Sequence, residues 1–520
     1  MKTNLLKYGL MVTLAWMSVT SCSDFMDTTQ PGVTSQENFY QTDDEALQAL
    51  YAIYDKVQYQ QLCLYTFEMK NLLSDDAQAG GGSRSDNSQG NELNEFTFSA
   101  SNSLIEYNYE WYWQIIYRAN VLLQNVDDDS DVKHICRAEA QCLRAWAYFE
   151  LITLWGNVPL VTEPLEAGNY NQPNSTLTEL WAQVEADLED AISELPVKSQ
   201  HADAARVCKG TAQSMLGKAY LFQEKYDEAA SMFDNVINSG EYSLYPDFSE
   251  ITKEASEFGV ESIFEISYSA DVSSPLEGTM ITAYCGPRSG YFSAGTSGLS
   301  ESGWGFVNPL PGLRELYIEE GDLVRQLATV IDEDDLATYY GGTFRSSDGS
   351  WPYGCDGLIR TKYGAYLSEI AEEEESYHCL GGTNYRIIRY ADVLLMAAEA
   401  YNRKSSSNDS KAQEYVNEVR ARVGLDGISS TGDDLFEDIK KERRLELAFE
   451  FVRFQDLVRW GEAATVLADQ GKSTSLGTFS DGVEQFYTSS DAGFKSYNVL
   501  LPYPEAEITV NPNITQNTGY

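Results

Sequence analysis

Residues 211–240, TAQSMLGKAYLFQEKYDEAASMFDNVINSG, restrict the possible folds more than any other stretch of the chain. Two amphipathic runs flank a short polar turn at 223–225. The first carries Leu216, Gly217 and Tyr220, and the second carries Tyr226, Ala229 and Phe233. The spacing in both runs is helical and predicts a hairpin of two helices. Gly217 and Ala229 are small at positions where two helix axes must come close. Tyr220 and Phe233 are expected to fill the space between this hairpin and the next. One hairpin cannot cover both of its own faces, so further helix pairs are expected elsewhere in the chain.

The residue pattern L-G-x2-Y followed by A-x3-F is that of a tetratricopeptide hairpin, although an ordinary pair of core helices would share much of it. A weaker copy lies at 389–420, where Ala400 and Tyr401 align with the end of the first run and Ala412 and Val416 stand for Ala229 and Phe233. Other helices are signalled by capping boxes at Thr42/Glu45 and Thr176/Glu179. The second of these opens an apolar face of Leu177, Leu180, Val184, Leu188, Ile192 and Leu195 that stops at Pro196. Further helices are expected at 107–126, 133–154 and 433–461, the last with interleaved Glu and Arg consistent with a salt-bridged face. The stripe Tyr109, Trp111, Tyr112, Trp113 and Tyr117 in the first of these reads as core. Between 245 and 371 no long helical period exists, and Gly, Ser and aromatics dominate with a few short strand-like runs. The segment 74–91, containing AGGGSRSDNSQG, is either a disordered loop or a flexible binding loop.

The N-terminus reads as a targeting segment. Lys2 and Lys7 precede a short apolar run at 8–17, too short for a permanent transmembrane helix. Val19-Thr20-Ser21-Cys22 places an aliphatic residue three before a Cys, with small residues between. That spacing resembles a bacterial lipoprotein signal in which residues 1–21 are removed and Cys22 is acylated; a plain secretory peptide is the alternative. Seven other cysteines, an odd number without metal-like spacing, read as small buried hydrophobes. Cys355 and Cys379 are the pair to expect if any bridge forms.

Acidic residues number 80 against 36 basic, for a net charge of −44. Phosphate binding needs clustered Lys and Arg, so nucleic acid is a poor partner. No catalytic constellation stands out: there are three His, no HExxH and no GxSxG. The run Asp332-Glu333-Asp334-Asp335 could hold Ca²⁺ but lacks EF-hand spacing, and no cofactor is otherwise expected. Binding is the better reading. Sugar rings expose C–H faces that stack on aromatic side chains, and their hydroxyls need carboxylate, amide or Arg partners. Tyr284, Arg288, Tyr291, Phe292, Trp304 and Phe306 lie among glycines, and Tyr339, Tyr340, Trp351 and Tyr353 form a second group. Aromatics in loops are more informative than aromatics on helix stripes, although they can also anchor loops that have no core. The expected ligand-binding residues are Trp304 and Trp351, with Tyr291 and Tyr340 nearby and Asp75 and Arg84 as polar partners flanking the AGGG run.

Taken in order, several blocks resemble the SusD/RagB family of nutrient-uptake lipoproteins from Bacteroidetes outer membranes. They are Cys22-Ser23-Asp24-Phe25-Met26-Asp27 with Gln30-Pro31, the run 138–145 leading to Gly156-Asn157-Val158-Pro159, the turn 225–229, Arg389-Tyr390-Ala391-Asp392, Glu442-Arg443-Arg444-Leu445-Glu446-Leu447, and the C-terminal stretch from Leu501-Pro502 to Tyr520. The resemblance spans nearly the whole chain. It implies an all-α, SusD-like solenoid of tetratricopeptide-like helix pairs packed against a loop-rich, irregular half with few short strands. It also implies a single domain over 22–520, with helices mainly at 40–240 and 385–465 and ligand-binding loops mainly at 245–384. The implied role is a non-catalytic, lipid-anchored, surface-exposed outer-membrane protein that captures a glycan for a SusC-type TonB-dependent transporter. A peptide-capturing RagB-like protein and a tetratricopeptide interaction scaffold are the alternatives.

Overall fold

The structure is a computed structural model that describes residues 39–271, 277–370 and 381–520. Cys22, the leader 1–21, His378 and Cys379 lie outside the described residues, as does the side chain of Cys63 within its helix. Helices dominate. Asp43–Val57 and Gln60–Leu72 both pack on Ser103–Asn125, and from there Asp131–Trp155, Leu177–Glu194, Lys209–Phe222 and Tyr226–Ile237 follow, each packed on the one before. The chain then leaves the helical stack over residues 238–389 and returns at Tyr390–Arg403, which packs on Tyr226–Ile237 and pairs with Asp409–Arg422. The loop-rich half is thus an excursion between two consecutive helix pairs. No described helix is long and apolar enough to cross a membrane.

Local signals set these helices as expected. Thr42 and Thr176 both accept from the backbone N–H three residues on, while Glu45 and Glu179 reach back to the cap. Gly217 is required by packing: a Cβ there would lie 2.6 Å from Cε1 of Phe233. Phe233, Ala229, Ala412 and Val416 are fully buried. Tyr220 differs from the expectation, because its ring is half-buried at the rim and its hydroxyl reaches Glu189 at 3.3 Å. Replacing Phe233 with Ala is expected to cost about 3–5 kcal/mol, measured by denaturant unfolding.

The loop-rich half is held by two-stranded antiparallel ribbons, in which Ala77–Ala79 pairs with Val307–Pro309, Val330–Asp332 with Leu358–Arg360, and Ser262–Ile266 with Tyr385–Arg389. It also contains helices, the longest being Pro311–Glu320 and Leu323–Thr329, in a region whose sequence shows no helical period. A second hydrophobic core, centred on Phe292, Leu299, Ile331, Leu336, Phe344, Cys355 and Ile359, lies within it. Cys355 is a free, buried thiol that bonds to the Leu358 carbonyl, not half of a bridge. The acidic run 332–335 is engaged by an arginine: Arg314 pairs with both Asp332 (2.7 Å) and Asp335 (2.8 Å), and no metal-like cluster occurs among the described residues.

The long helix expected at 433–461 is interrupted. It runs from Gly432 to Leu447 and resumes at Arg453–Arg459. Between them Phe449 and Phe451 adopt left-handed φ of 63° and 72°, a conformation that costs of order 1–3 kcal/mol at a non-glycine residue. The break buries both rings, stacks Phe451 on Tyr385 at 3.9 Å, and turns Glu450 inward onto Arg389 (2.7 Å). The Glu/Arg pattern therefore belongs to a buried ion network that joins the two halves, not to a solvated helix face. Arg389 also bonds to Glu261 (2.6 Å) and Glu446, and Glu446 takes Arg325 from the helix Leu323–Thr329 (3.0 Å) and Arg422 from Asp409–Arg422.

Candidate functional site

Aromatic rings accumulate on the surface where the helices Gln60–Leu72 and Ser103–Asn125 meet the loop-rich half. Tyr107 and Trp111 are four apart on Ser103–Asn125 and so share one of its faces. Tyr65, from Gln60–Leu72, stacks on Tyr107 with ring centres 5.0 Å apart and planes within 16°. Tyr59 tilts against Trp111 at 5.3 Å. Tyr59 and Tyr107 are each 41% exposed, over a Trp111 that is buried beneath them. On the loop side, Tyr284, Trp304 and Phe306 form a second group, with Tyr284 4.1 Å from Trp304 and Trp304 5.5 Å from Phe306. The short helix Ile281–Cys285, which carries Tyr284, packs on Gln60–Leu72, and burial, then the neighbouring phenols of Tyr107 and Tyr284, push the Tyr65 phenol up.

The AGGG run holds the loop-side group in place. It is neither disordered nor a flexible loop: Ala77–Ala79 is a buried strand and Gly80 donates to the Phe306 carbonyl at 3.2 Å. A Cβ on Gly80 would fall 2.1 Å from Asn308 Nδ2 and 2.3 Å from the Gly305 carbonyl, so only glycine lets this backbone pass. The same contacts fix the segment that presents Trp304. Polar groups lie at its edge. The half-buried Arg288 reaches the Trp304 carbonyl at 3.4 Å and exposed Asp86 at 3.6 Å, and Asp86 accepts from the Gly82 N–H at 2.7 Å.

A buried carboxyl lies close to both groups. Burial pushes Glu68 up to about 7, against the opposing hydrogen bond from Asn87 at 2.5 Å, and its charge in turn contributes to raising Tyr65 and Tyr284. The folded state then holds a proton on Glu68 that the unfolded chain has lost between about pH 4.5 and 7. Stability present below that window falls as pH rises through it. Glu68→Gln is expected to remove that fall, worth on the order of 3 kcal/mol, when unfolding of the two proteins is compared at pH 5 and pH 8.

The sequence-derived candidates do not all gather here. Trp304 does. Trp351, Tyr291 and Tyr340 instead pack half-buried against the second core. Trp351 lies against Phe479 at 5.4 Å, with the Arg345 guanidinium 4.4 Å over its ring. Among the described residues no ring contact links Trp351 to Trp304. Asp75 is engaged by Arg453 at 2.7 Å and Arg444 at 3.0 Å. Arg84 pairs with Glu95 and lies 4.0 Å over the Tyr487 ring. Both charges, expected from the sequence as polar partners of a ligand, are engaged by these scaffold groups. Arg288 and Asp86 are the polar groups that flank Trp304. Tyr59, Tyr65 and Tyr107 were missed, although a signal existed: Tyr107/Trp111 and Tyr109/Trp113/Tyr117 point to opposite faces of one helix, and one core cannot absorb both.

Comparison with known proteins places this architecture. The model described as "SusD family" matches residues 260–520, half of the chain. The chain belongs to the SusD family. A second model, "Starch-binding associating with outer membrane", matches residues 24–221 of the same SusD-family chain. SusD-like protein P2 of Formosa agariphila is 26% identical over 537 aligned residues, covering 99% of this chain and 100% of that protein. A laminarin-binding SusD-like protein superposes with a TM-score of 0.76 at 32% identity, over 92% of this chain and 100% of that one. The surface glycan-binding protein A of Bacteroides thetaiotaomicron, solved in complex with laminarihexaose, gives 0.75 at 25% identity with the same coverage. These relatives bear out the helix-rich, SusD-like architecture.

Proposed function

We propose that this protein captures a neutral glycan on the face formed by Tyr59, Tyr65, Tyr107, Tyr284 and Trp304, without catalysis, and passes it to a partner transporter of the SusC type. The observation that carries this reading is the run of partly exposed rings over a buried Trp111, with Arg288 and Asp86 at its edge. Ring faces match the C–H faces of a sugar chain, and a charge pair at the border can meet hydroxyls. The glycan-binding relatives make laminarin-type oligosaccharides the first to try. Titration with laminarihexaose, cellohexaose and maltoheptaose tests the reading; no heat or shift change with any of them would refute it.

Outer-membrane attachment through acylated Cys22 is part of the same proposal, motivated by Val19-Thr20-Ser21-Cys22. Cys22→Ser is expected to shift the protein from the membrane to the soluble fraction in cells. Membrane-bound, acylated Cys22→Ser protein would sink this part.

A further inference from the structure

The helix Ser103–Asn125 also carries aromatics on its other face, and there they line a groove of about 260 Å³. Tyr109, Trp113 and Tyr117 form one wall, Tyr170 the other, and Glu163 and Glu507 stand at its rim. Tyr117 and Tyr170 are 60% and 62% exposed, which is unusual for large rings flanking the same hollow. The groove is preformed. Its far wall is tied down at Val161, whose carbonyl accepts from Asn120 (2.9 Å) and Tyr148 (2.9 Å) and whose N–H donates to Tyr148 (2.8 Å). Asn511 holds its other end by donating to the Gln172 carbonyl at 2.9 Å. Trp113 is braced edge-on by Tyr109 and Tyr148, at 6.1 and 6.0 Å. Trp113 therefore presents a fixed face, and the backbone on either side of the groove needs little ordering on binding.

The polar equipment narrows the ligand. Glu163 is exposed, and Glu507 spends one oxygen on Asn511 at 3.2 Å, which leaves carboxylate oxygen to accept hydroxyl protons. No Lys or Arg lines the groove. An anionic ligand would meet two carboxylates and no counter-charge in a chain already at −44. We propose that this groove is a second saccharide-binding site, specific for a neutral sugar unit that lies against Tyr117 and Tyr170 and donates hydroxyls to Glu163 and Glu507. The inference rests on reading the protein as glycan-binding, but it uses a separate set of residues. A polysaccharide held at both sites would gain avidity from the effective concentration of its second contact.

The full-length protein, Tyr117→Ala/Tyr170→Ala and Trp304→Ala are titrated with laminarihexaose, cellohexaose, xylohexaose and mannohexaose, and with hexagalacturonate as an anionic control. Both exposed tyrosines can be truncated without opening a core, and unchanged thermal unfolding checks this. For at least one neutral probe, wild type is expected to show two binding events. The double tyrosine variant should lose one of them, weakened about tenfold or more, while Trp304→Ala keeps it. Hexagalacturonate should give no event that depends on Tyr117 and Tyr170. If the double variant titrates as wild type with all four neutral probes, the groove is not a saccharide site, whatever Trp304→Ala does. Loss in the tyrosine variant with none in Trp304→Ala would uphold the groove and sink the loop-facing site instead. Absence of binding by wild type would overturn both.

Discussion

Glu446→Gln is expected to destabilise the protein by about 3–5 kcal/mol, the range for breaking a buried ion pair, with loss of folding at 37 °C as the extreme. Glu446 is fully buried and meets three guanidiniums, from Arg325, Arg389 and Arg422. Burial pushes its carboxyl up, but Arg422, Arg389 and Arg325 outweigh burial and hold it well below the usual range. It is therefore ionised in the fold at any neutral or mildly acidic pH. An amide keeps the shape and removes the charge, so three buried guanidiniums each lose one of their carboxylate partners without any cavity forming. The same depression fixes a sign. Stability from Glu446 is complete above the unfolded carboxylate's range near pH 4.5 and is lost as pH falls below it. Denaturant unfolding at pH 7 and pH 4 measures both effects: the variant should be much weaker at pH 7, and the gap should narrow toward acid. Equal stability at pH 7 would mean that the network contributes nothing to joining the halves.

Trp304→Ala is expected to weaken oligosaccharide binding at the loop-facing site about a hundredfold, an aromatic hot spot of roughly 2–3 kcal/mol, while thermal unfolding changes little. The ring is only half-buried and lies on Tyr284 and Phe306, not in either hydrophobic core. Tyr284→Ala should weaken binding as well, because Trp304 loses the ring that orients it at 4.1 Å. Trp351→Ala provides the contrast. That ring packs on the second core and against Phe479 and Arg345, so its loss should lower stability more than affinity. A Trp304→Ala protein that loses stability and binding together would mean the ring serves to hold its loop.

The helical half was legible because its signals are local. Caps sit three residues from their partners, and Gly217 faces Phe233 across one turn. The loop half was not, because its order comes from pairing across long separations: Ala77–Ala79 finds Val307–Pro309, and Asp75 finds Arg453 378 positions away. A short strand or a lone carboxylate carries no trace of such a partner. That is why the ion pairs of Asp75 and Arg84 left no trace in the sequence, and why the AGGG run read as a flexible or disordered loop when it is packed backbone against backbone. The break at Phe449–Phe451 was invisible for a related reason: helical periodicity continues through it, and only the inward pull on Glu450 shows why the chain departs. Of the candidate face, Trp304 was singled out by its glycine-rich surroundings. Tyr65 and Tyr107 were not, since a helix-borne ring reads as core until its neighbours are known.

The most direct test of glycan capture is a crystal structure of the protein soaked with laminarihexaose. Sugar rings stacked on Tyr65, Tyr107 or Trp304, with hydroxyls near Arg288 or Asp86, are the predicted result. Ligand found only against Trp351 and Phe479, or at neither aromatic face of the Ser103–Asn125 helix, would contradict it.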